Sequence, residues 1–195
     1  EGIRRLRRII EDLPCHLYPT YFEALTVIAF AWFADAGVDV TVAEVGMGGR
    51  FDATNVLPST IEVITPISLD HTQYLGRTIG QIAIEKAGIV KRGTAVVSAS
   101  QPPDALTVVE RKAVEKESVL SLYGRDFRGR TVSMDAGGLV FRYRGQGTYP
   151  ALRTPLLGRH QTENVSLAVR AAELLRSRGL PVGADALVRG VAGTV

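Results

Sequence analysis

Hydrophobic positions along the chain follow two rhythms. Near the N-terminus Ile3, Leu6, Ile9 and Ile10 interleave with Arg4, Arg5, Arg7 and Arg8, the spacing of an amphipathic helix with a solvated cationic face. Pro14 and Pro19 bracket a short connector. Thr20 with Glu23 then has the form of a capping box that opens a helix over about 21–36, and Gly37 is its natural stop. This helix is apolar nearly all round (Leu25, Val27, Ile28, Phe30, Trp32, Phe33), which predicts burial on more than one side. The β-branched run from Val38 to Ala43 reads as a buried strand that carries Glu44 at its far end and stops in Gly46-Met47-Gly48-Gly49. After a loop-like stretch a second apolar run, Ile61 to Ile67, delivers Asp70 and His71 in the same way. Thr78 with Gln81 opens a helix to about Val90 that places Lys86 beside Glu85. A short strand over 94–98 leads through Pro102-Pro103 into a helix from Asp104 to about Glu117.

Helices and strands thus alternate at spacings too long for hairpins, which predicts an α/β fold with a mainly parallel sheet flanked by helices. From Val119 the rhythm changes. Short runs over 119–122, 130–134, 139–143 and 149–152, punctuated by Gly137-Gly138 and Gly145-Gln146-Gly147, predict an antiparallel hairpin section attached to that sheet. After Pro155 the helical pattern returns through Val165, Leu167, Ala168, Ala171, Ala172, Leu174 and Leu175 and stops at Gly179, and a last helix begins near Gly183.

At 195 residues the chain has room for one substantial domain, which buries roughly 70% of the surface its unfolded form exposes. With 46% hydrophobic and 22% charged residues it has the composition of an ordinary soluble protein, and no apolar run approaches the roughly 20 residues a membrane span requires. A net charge of +3, with no aromatic interleaving in the arginine-rich helix, gives no footing for nucleic-acid binding. Cys15 is the only cysteine, so no internal disulfide forms and a cytoplasmic location is expected.

The candidate chemistry lies where the two early strands end. In open α/β sheets ligands bind beyond the carboxyl ends of the strands, and two consecutive strands ending in Glu44 and His71 suggest one shared, metal-competent site if they lie side by side. The bland readings are a paired acid for Glu44 and a satisfied polar residue for His71. The glycine turn begins like a dinucleotide fingerprint, but its third glycine falls on Phe51 and Pro58 interrupts any immediate long helix. A zinc hydrolase is poorly supplied: His16, His71 and His160 are the only histidines and there is no H-E-x-x-H.

Three stretches, Glu44-Val45-Gly46-Met47-Gly48-Gly49-Arg50-Phe51-Asp52-Ala53-Thr54-Asn55, Leu69-Asp70-His71-Thr72 and Ile82-Ala83-Ile84-Glu85-Lys86-Ala87-Gly88-Ile89, closely resemble the folylpolyglutamate synthase and dihydrofolate synthase family of the Mur ligase superfamily, and their separations agree with the family pattern. The resemblance runs from about Thr20 to the C-terminus. It implies a P-loop NTPase-like Mur ligase central domain and ATP-dependent addition of glutamate to a folate or dihydropteroate carboxylate through an acyl phosphate. Carried over by motif, Glu44 and His71 would hold Mg2+ at the γ-phosphate, with His71 and a carbamylated Lys86 at the catalytic centre. Without the resemblance, Lys86 reads as a surface partner of Glu85 or Glu62.

The resemblance also implies a substrate-binding set, Thr20, Tyr21, Phe22 and Glu23 with Phe51, Asp52 and Ala53, in which Phe22 or Phe51 packs on the pterin ring and Asp52 bonds its polar edge. Helix capping, core packing and turn chemistry are the alternatives. Asn164, within Gly158-Arg159-His160-Gln161-Thr162-Glu163-Asn164, would contact adenine, or else is a helix N-terminal residue. The partners implied are small molecules, namely folate or dihydropteroate, glutamate and ATP, acting on a monomer without nucleic acid or membrane. The family's phosphate-binding G-x-x-G-K-[ST] loop and its C-terminal domain are not found in these residues, so the expectation is a partial nucleotide-binding domain that alone turns over no ATP. A Mur-type ligase acting on a cell-wall precursor and a noncatalytic nucleotide-binding remnant are the competing readings.

Overall fold

The computed structural model describes residues 2–14 and 17–194. Cys15 and His16, weighed above as thiol and zinc donor, lie outside the described residues, as do the side chains of Arg5, Leu6 and Ile9. The chain divides into two compact units, one up to Leu57 and one from Pro58 onward.

The first unit holds two helices, α1 (Gly2–Glu11) and α2 (Tyr21–Ala36). The predicted capping box forms in full: the Thr20 hydroxyl accepts from the Glu23 amide while the Glu23 carboxylate accepts from the Thr20 amide. Gly37 ends the helix at φ 62°, a left-handed conformation that costs glycine little and other residues more. Two expectations fail here. Only Thr26 of α2 is buried, and Trp32 is 63% exposed, so the all-round apolar pattern is not matched by burial on several sides. The run from Val38 to Ala43 forms no strand, and Val42 is 92% exposed. A strand needs a hydrogen-bonded neighbour, and among the described residues no strand pairs with this run. The expected strand leading to Glu44 is therefore absent among the described residues.

The second unit contains a parallel sheet of β1 (Ile61–Ile64), β2 (Ala95–Ser98) and β3 (Val119–Leu122) in that order. β1 is shorter than its apolar run because Pro66 has no amide to give the ladder. The Ile67 amide donates instead to the Gln101 side chain, 2.9 Å away. All four residues of the central strand β2 are buried, as expected of a strand covered on both faces. One face packs on α4 (Ile79–Ala87) and α5 (Pro103–Glu115) through Ile64, Ile82, Ala83, Val96 and Val109. The other meets α6 (Gln161–Ser177) through Ala95, Val97, Val165 and Val169. A four-residue helix, α3 (Thr72–Leu75), follows His71 and has no counterpart in the sequence pattern.

Val119–Leu122 belongs to the parallel sheet and not to the hairpin section, because its register is set by β2, which lies far away in sequence. The hairpins form their own antiparallel sheet of β4 (Arg128–Asp135), β5 (Gly138–Arg144) and β6 (Thr148–Thr154). It is joined to the parallel sheet by packing across α6 and not by strand pairing. Gly129 permits the close approach: a Cβ there would collide with Ser166 Oγ and lie 2.8 Å from Thr162 Cγ2 on α6. The helix α7 (Ala184–Ala192) closes this core with Leu187 and Val191 beside Leu152.

Candidate functional site

The residues singled out by sequence fall in both units. In the first, the loop after Glu44 is built around Asp52. One carboxylate oxygen accepts from the amides of Gly46 (2.9 Å) and Met47 (3.0 Å), and the other from the Thr54 amide (2.9 Å) and hydroxyl (2.6 Å). All four acceptor positions of the carboxylate are thus used within the loop. Partial burial raises the Asp52 pKa, but the Thr54, Met47 and Gly46 hydrogen bonds outweigh it and hold the group below the ordinary aspartate range. The Asp52 side chain also caps a 3-10 turn over Ala53–Val56.

The same loop meets the start of α2. A Cβ on Gly46 would stand 2.8 Å from two carbons of the Phe22 ring, so only glycine lets the ring lie against this backbone. Tyr21 and Phe51 are both exposed by more than four-fifths, and the Arg50 guanidinium lies 4.9 Å from the centre of the Phe51 ring. Thr20 and Glu23 are engaged in the capping box, whose hydrogen bonds from the Thr20 amide and hydroxyl lower the Glu23 pKa against the opposing effect of burial. The structure therefore brings Phe22, Gly46 and Asp52 together. Glu44 is exposed and forms no hydrogen bond or ion pair among the described residues.

In the second unit His71 follows the β1 strand and caps α3 with φ 48° and ψ 37°, a left-handed conformation shared among the described non-glycine residues by Glu117. Such a residue stores about 1–3 kcal/mol of strain and is enriched at functional sites. Asp70 steadies the turn by accepting from the His71 amide at 2.7 Å, and its other oxygen lies 3.6 Å from His71 Nε2. Gln101, which the sequence pattern does not single out, donates to the Thr65 carbonyl (3.0 Å) and the Ser98 hydroxyl (3.2 Å), so it ties the chain leading to His71 to the end of β2. Its only sequence signal is its position just past a strand end.

Lys86 sits in the last turn of α4, half-buried beside Ala87 and one turn beyond Ile82, both buried. Neither expected acid partner is taken up. Lys86 forms no ion pair among the described residues, and Glu62 is engaged by Ser59, the Lys91 amide and Thr94. Asn164 lies on the first turns of α6, where its amide donates to Gln161 at 3.1 Å. It lines a groove whose apolar walls include Leu156, Val165, Ala168 and Leu187. Glu163 next to it accepts from the Ser100 amide at 2.6 Å and anchors the start of α6 to the end of β2.

No group of three or more His, Cys, Asp or Glu side chains that could hold a metal ion occurs among the described residues. Taken singly, the Glu44 carboxylate is an oxygen donor that magnesium accepts readily, whereas the exposed His71 imidazole is a donor it takes only occasionally.

The α/β core of this topology belongs to a recognisable class: residues 15–172 match the Mur ligase middle domain, and the chain belongs to that family. Over 165 residues it is 42% identical to the dihydrofolate synthase/folylpolyglutamate synthase of Mycobacterium tuberculosis, covering 81% of this chain and 34% of that protein. The M. tuberculosis folylpolyglutamate synthase complexed with ADP and AMPPCP superposes with a TM-score of 0.89 at 38% identity, covering 100% of this chain and 46% of that one. An FPGS complex with AMPPCP and folate gives 0.88 at 35% identity, with 97% and 46% covered. The chain thus spans less than half the length of these relatives. No described helix is long and apolar enough to cross a membrane.

Proposed function

We propose that the protein is the nucleotide-binding part of an ATP-dependent carbon–nitrogen ligase that joins glutamate to a carboxylate of folate or dihydropteroate, acting as a cytoplasmic monomer. The observation that carries this reading is the 42% identity to a dihydrofolate synthase/folylpolyglutamate synthase, and the likeness to a folate- and AMPPCP-bound FPGS supports it. In such a reaction a folate carboxylate oxygen attacks the γ-phosphorus of ATP, ADP leaves, and an acyl phosphate results. The glutamate amine then attacks the acyl carbon, loses its proton, and phosphate departs with the C–O bonding pair. The protein's part is positioning and electrostatics.

In this reading Phe22 and the exposed Tyr21 and Phe51 rings offer faces for the pterin, while Thr20, Glu23 and Ala53 shape the backbone around them. Asp52 reaches the pterin edge by exchanging one of its four present donors, so its first task is to hold the loop. The Asn164 amide both donates to and accepts from the adenine edge at the mouth of its apolar groove. Glu44 and His71 are the residues that would hold Mg2+, which when bound offsets charge on the γ-phosphate. The Lys86 amine, once neutral, adds to carbon dioxide with loss of a proton, and a cation that would repel magnesium becomes an anion. The free, half-buried amine favours this over a structural ion pair.

The test is folate- and glutamate-dependent ADP release by the protein expressed from its whole coding sequence. Glu44→Ala is expected to lower kcat at least about a hundredfold, the scale on which catalytic electrostatic groups act. Retained activity overturns the metal assignment, and turnover with a cell-wall precursor but no folate overturns the substrate class.

A further inference from the structure

The solvent face of the antiparallel sheet carries charge that the fold does not need. Antiparallel register sets Arg128 directly opposite Arg144, and Arg130 directly opposite Arg142. Arg153 joins them on the same face, opposite Val140. All five are exposed, and none forms an ion pair or side-chain hydrogen bond among the described residues. Four of them, with Gly129, line a groove. Like charges directly opposite across two strands destabilise a sheet, and here two such pairs are stacked one above the other. A single acidic substitution in each pair would relieve the repulsion. Unrelieved repulsion on an otherwise ordinary surface is what a binding function maintains against stability.

The arrangement also says what kind of anion it suits. Opposed side chains stand about 5 Å apart and successive ones on a strand about 7 Å apart, a cationic grid that matches charges repeated along an extended chain. The face is carried by extended strands, with no helix N-terminus and no nest of successive amides of the kind that phosphate sites recruit. The aromatic residues of the sheet, Phe141, Tyr143 and Tyr149, pack on its other face. The arginine face therefore offers bases no stacking platform, as single-stranded nucleic acid requires. What remains is the planar guanidinium fork, which pairs with carboxylates two bonds at a time.

We infer that this face is a docking surface for the oligo-γ-glutamyl chain that the ligase builds, outside the reaction centre. The inference rests on the function proposed above. Because the side-chain carboxyl enters each γ-linked amide bond, every residue of such a chain keeps a free α-carboxylate, which gives an extended polycarboxylate that complements the arginine grid. α6, with Asn164, packs on the opposite face of the sheet, so the surface holds the stretch of tail already built and not its reacting carboxyl end.

The test is calorimetric titration of the protein with penta-γ-glutamate, without pteridine or ATP. Binding is expected to weaken with added salt. It should fall at least about tenfold in R128E/R130E, which removes two guanidinium forks and sets carboxylates opposite Arg144 and Arg142. The same variant should melt no lower than the parent and keep its turnover of a pteroyl monoglutamate. R142Q/R144Q, which removes the other member of each pair without adding charge, should also weaken binding. Equal affinity in parent and variants overturns the inference. So does tighter binding of α-linked pentaglutamate, which would indicate an acidic protein partner, or of tripolyphosphate or oligouridylate, which would indicate phosphate. Failure of the ligase reading shows separately, as absent folate-dependent ADP release, since the titration involves neither folate nor ATP.

Discussion

Glu173 gives the sharpest test of how the second unit is held together. Its side chain is wholly buried and accepts from the Tyr143 hydroxyl (2.8 Å), the amides of Gln146 (3.1 Å) and Gly147 (2.7 Å), and the Arg170 guanidinium (3.1 Å), itself 11% exposed. This one carboxylate therefore pins the β5–β6 turn to α6 and neutralises a buried cation. Burial first, and then Glu173, push the Tyr143 hydroxyl pKa well up, so that it stays a donor at every accessible pH. Glu173→Ala leaves the tyrosine hydroxyl and two amides without their acceptor and takes the counter-charge from Arg170, which keeps only the Ser121 hydroxyl. Breaking a buried ion pair costs about 3–5 kcal/mol, and each unsatisfied donor about 1–3. These effects share atoms and do not add, so the expected loss is about 4–5 kcal/mol. At about 2–4 °C per kcal/mol for a unit of this size, melting should fall by roughly 10–15 °C. Glu173→Gln keeps the volume and one acceptor oxygen and should lose about half as much. Scanning calorimetry measures the shift, and hydrogen exchange at Gln146 and Gly147 localises it. A fall of less than about 3 °C in Glu173→Ala, or unchanged protection of those two amides, refutes the reasoning.

The candidate site carries two more predictions. Because the folded Asp52 pKa lies below its unfolded value, its stabilisation of the loop is complete above the ordinary aspartate pKa of about 3.9 and is lost only as pH falls through the lower folded value. The amide shifts of Gly46, Met47 and Thr54 should hold from neutrality to about pH 4 and move together below it; a midpoint at or above the ordinary value is incompatible with the hydrogen-bond hub. If Lys86 works as a carbamate, activity in carbon-dioxide-depleted buffer should drop and recover with bicarbonate, while Lys86→Arg should be inactive and unrescued; indifference to bicarbonate counts against the modification.

Features whose causes lie within a few residues of one another are legible in the amino-acid sequence. Thr20 with Glu23 and Thr78 with Gln81 cap their helices as their spacing predicts, because each box is closed by atoms three residues apart. The motif residues Glu44, His71 and Lys86 stand out by type and spacing, and the glycine loop by the backbone freedom it needs. Which strands pair is not legible: Val119–Leu122 reads like a hairpin strand but is claimed by β2, and Val38–Ala43 reads like a strand but has no described partner. Nor are Gln101 and Glu173, whose importance depends on groups more than twenty residues away. The opposed arginines are also invisible until register is known, since shifting the pairing by one residue would move them to the other face. The sequence by itself determined the capped helix starts, the turns and the chemical identity of the candidate residues, because those follow from local hydrogen bonding and side-chain type. Tertiary structure alone decided strand partners, the polar ties between elements and the alignment of like charges, because each depends on distant parts of the chain meeting in one register.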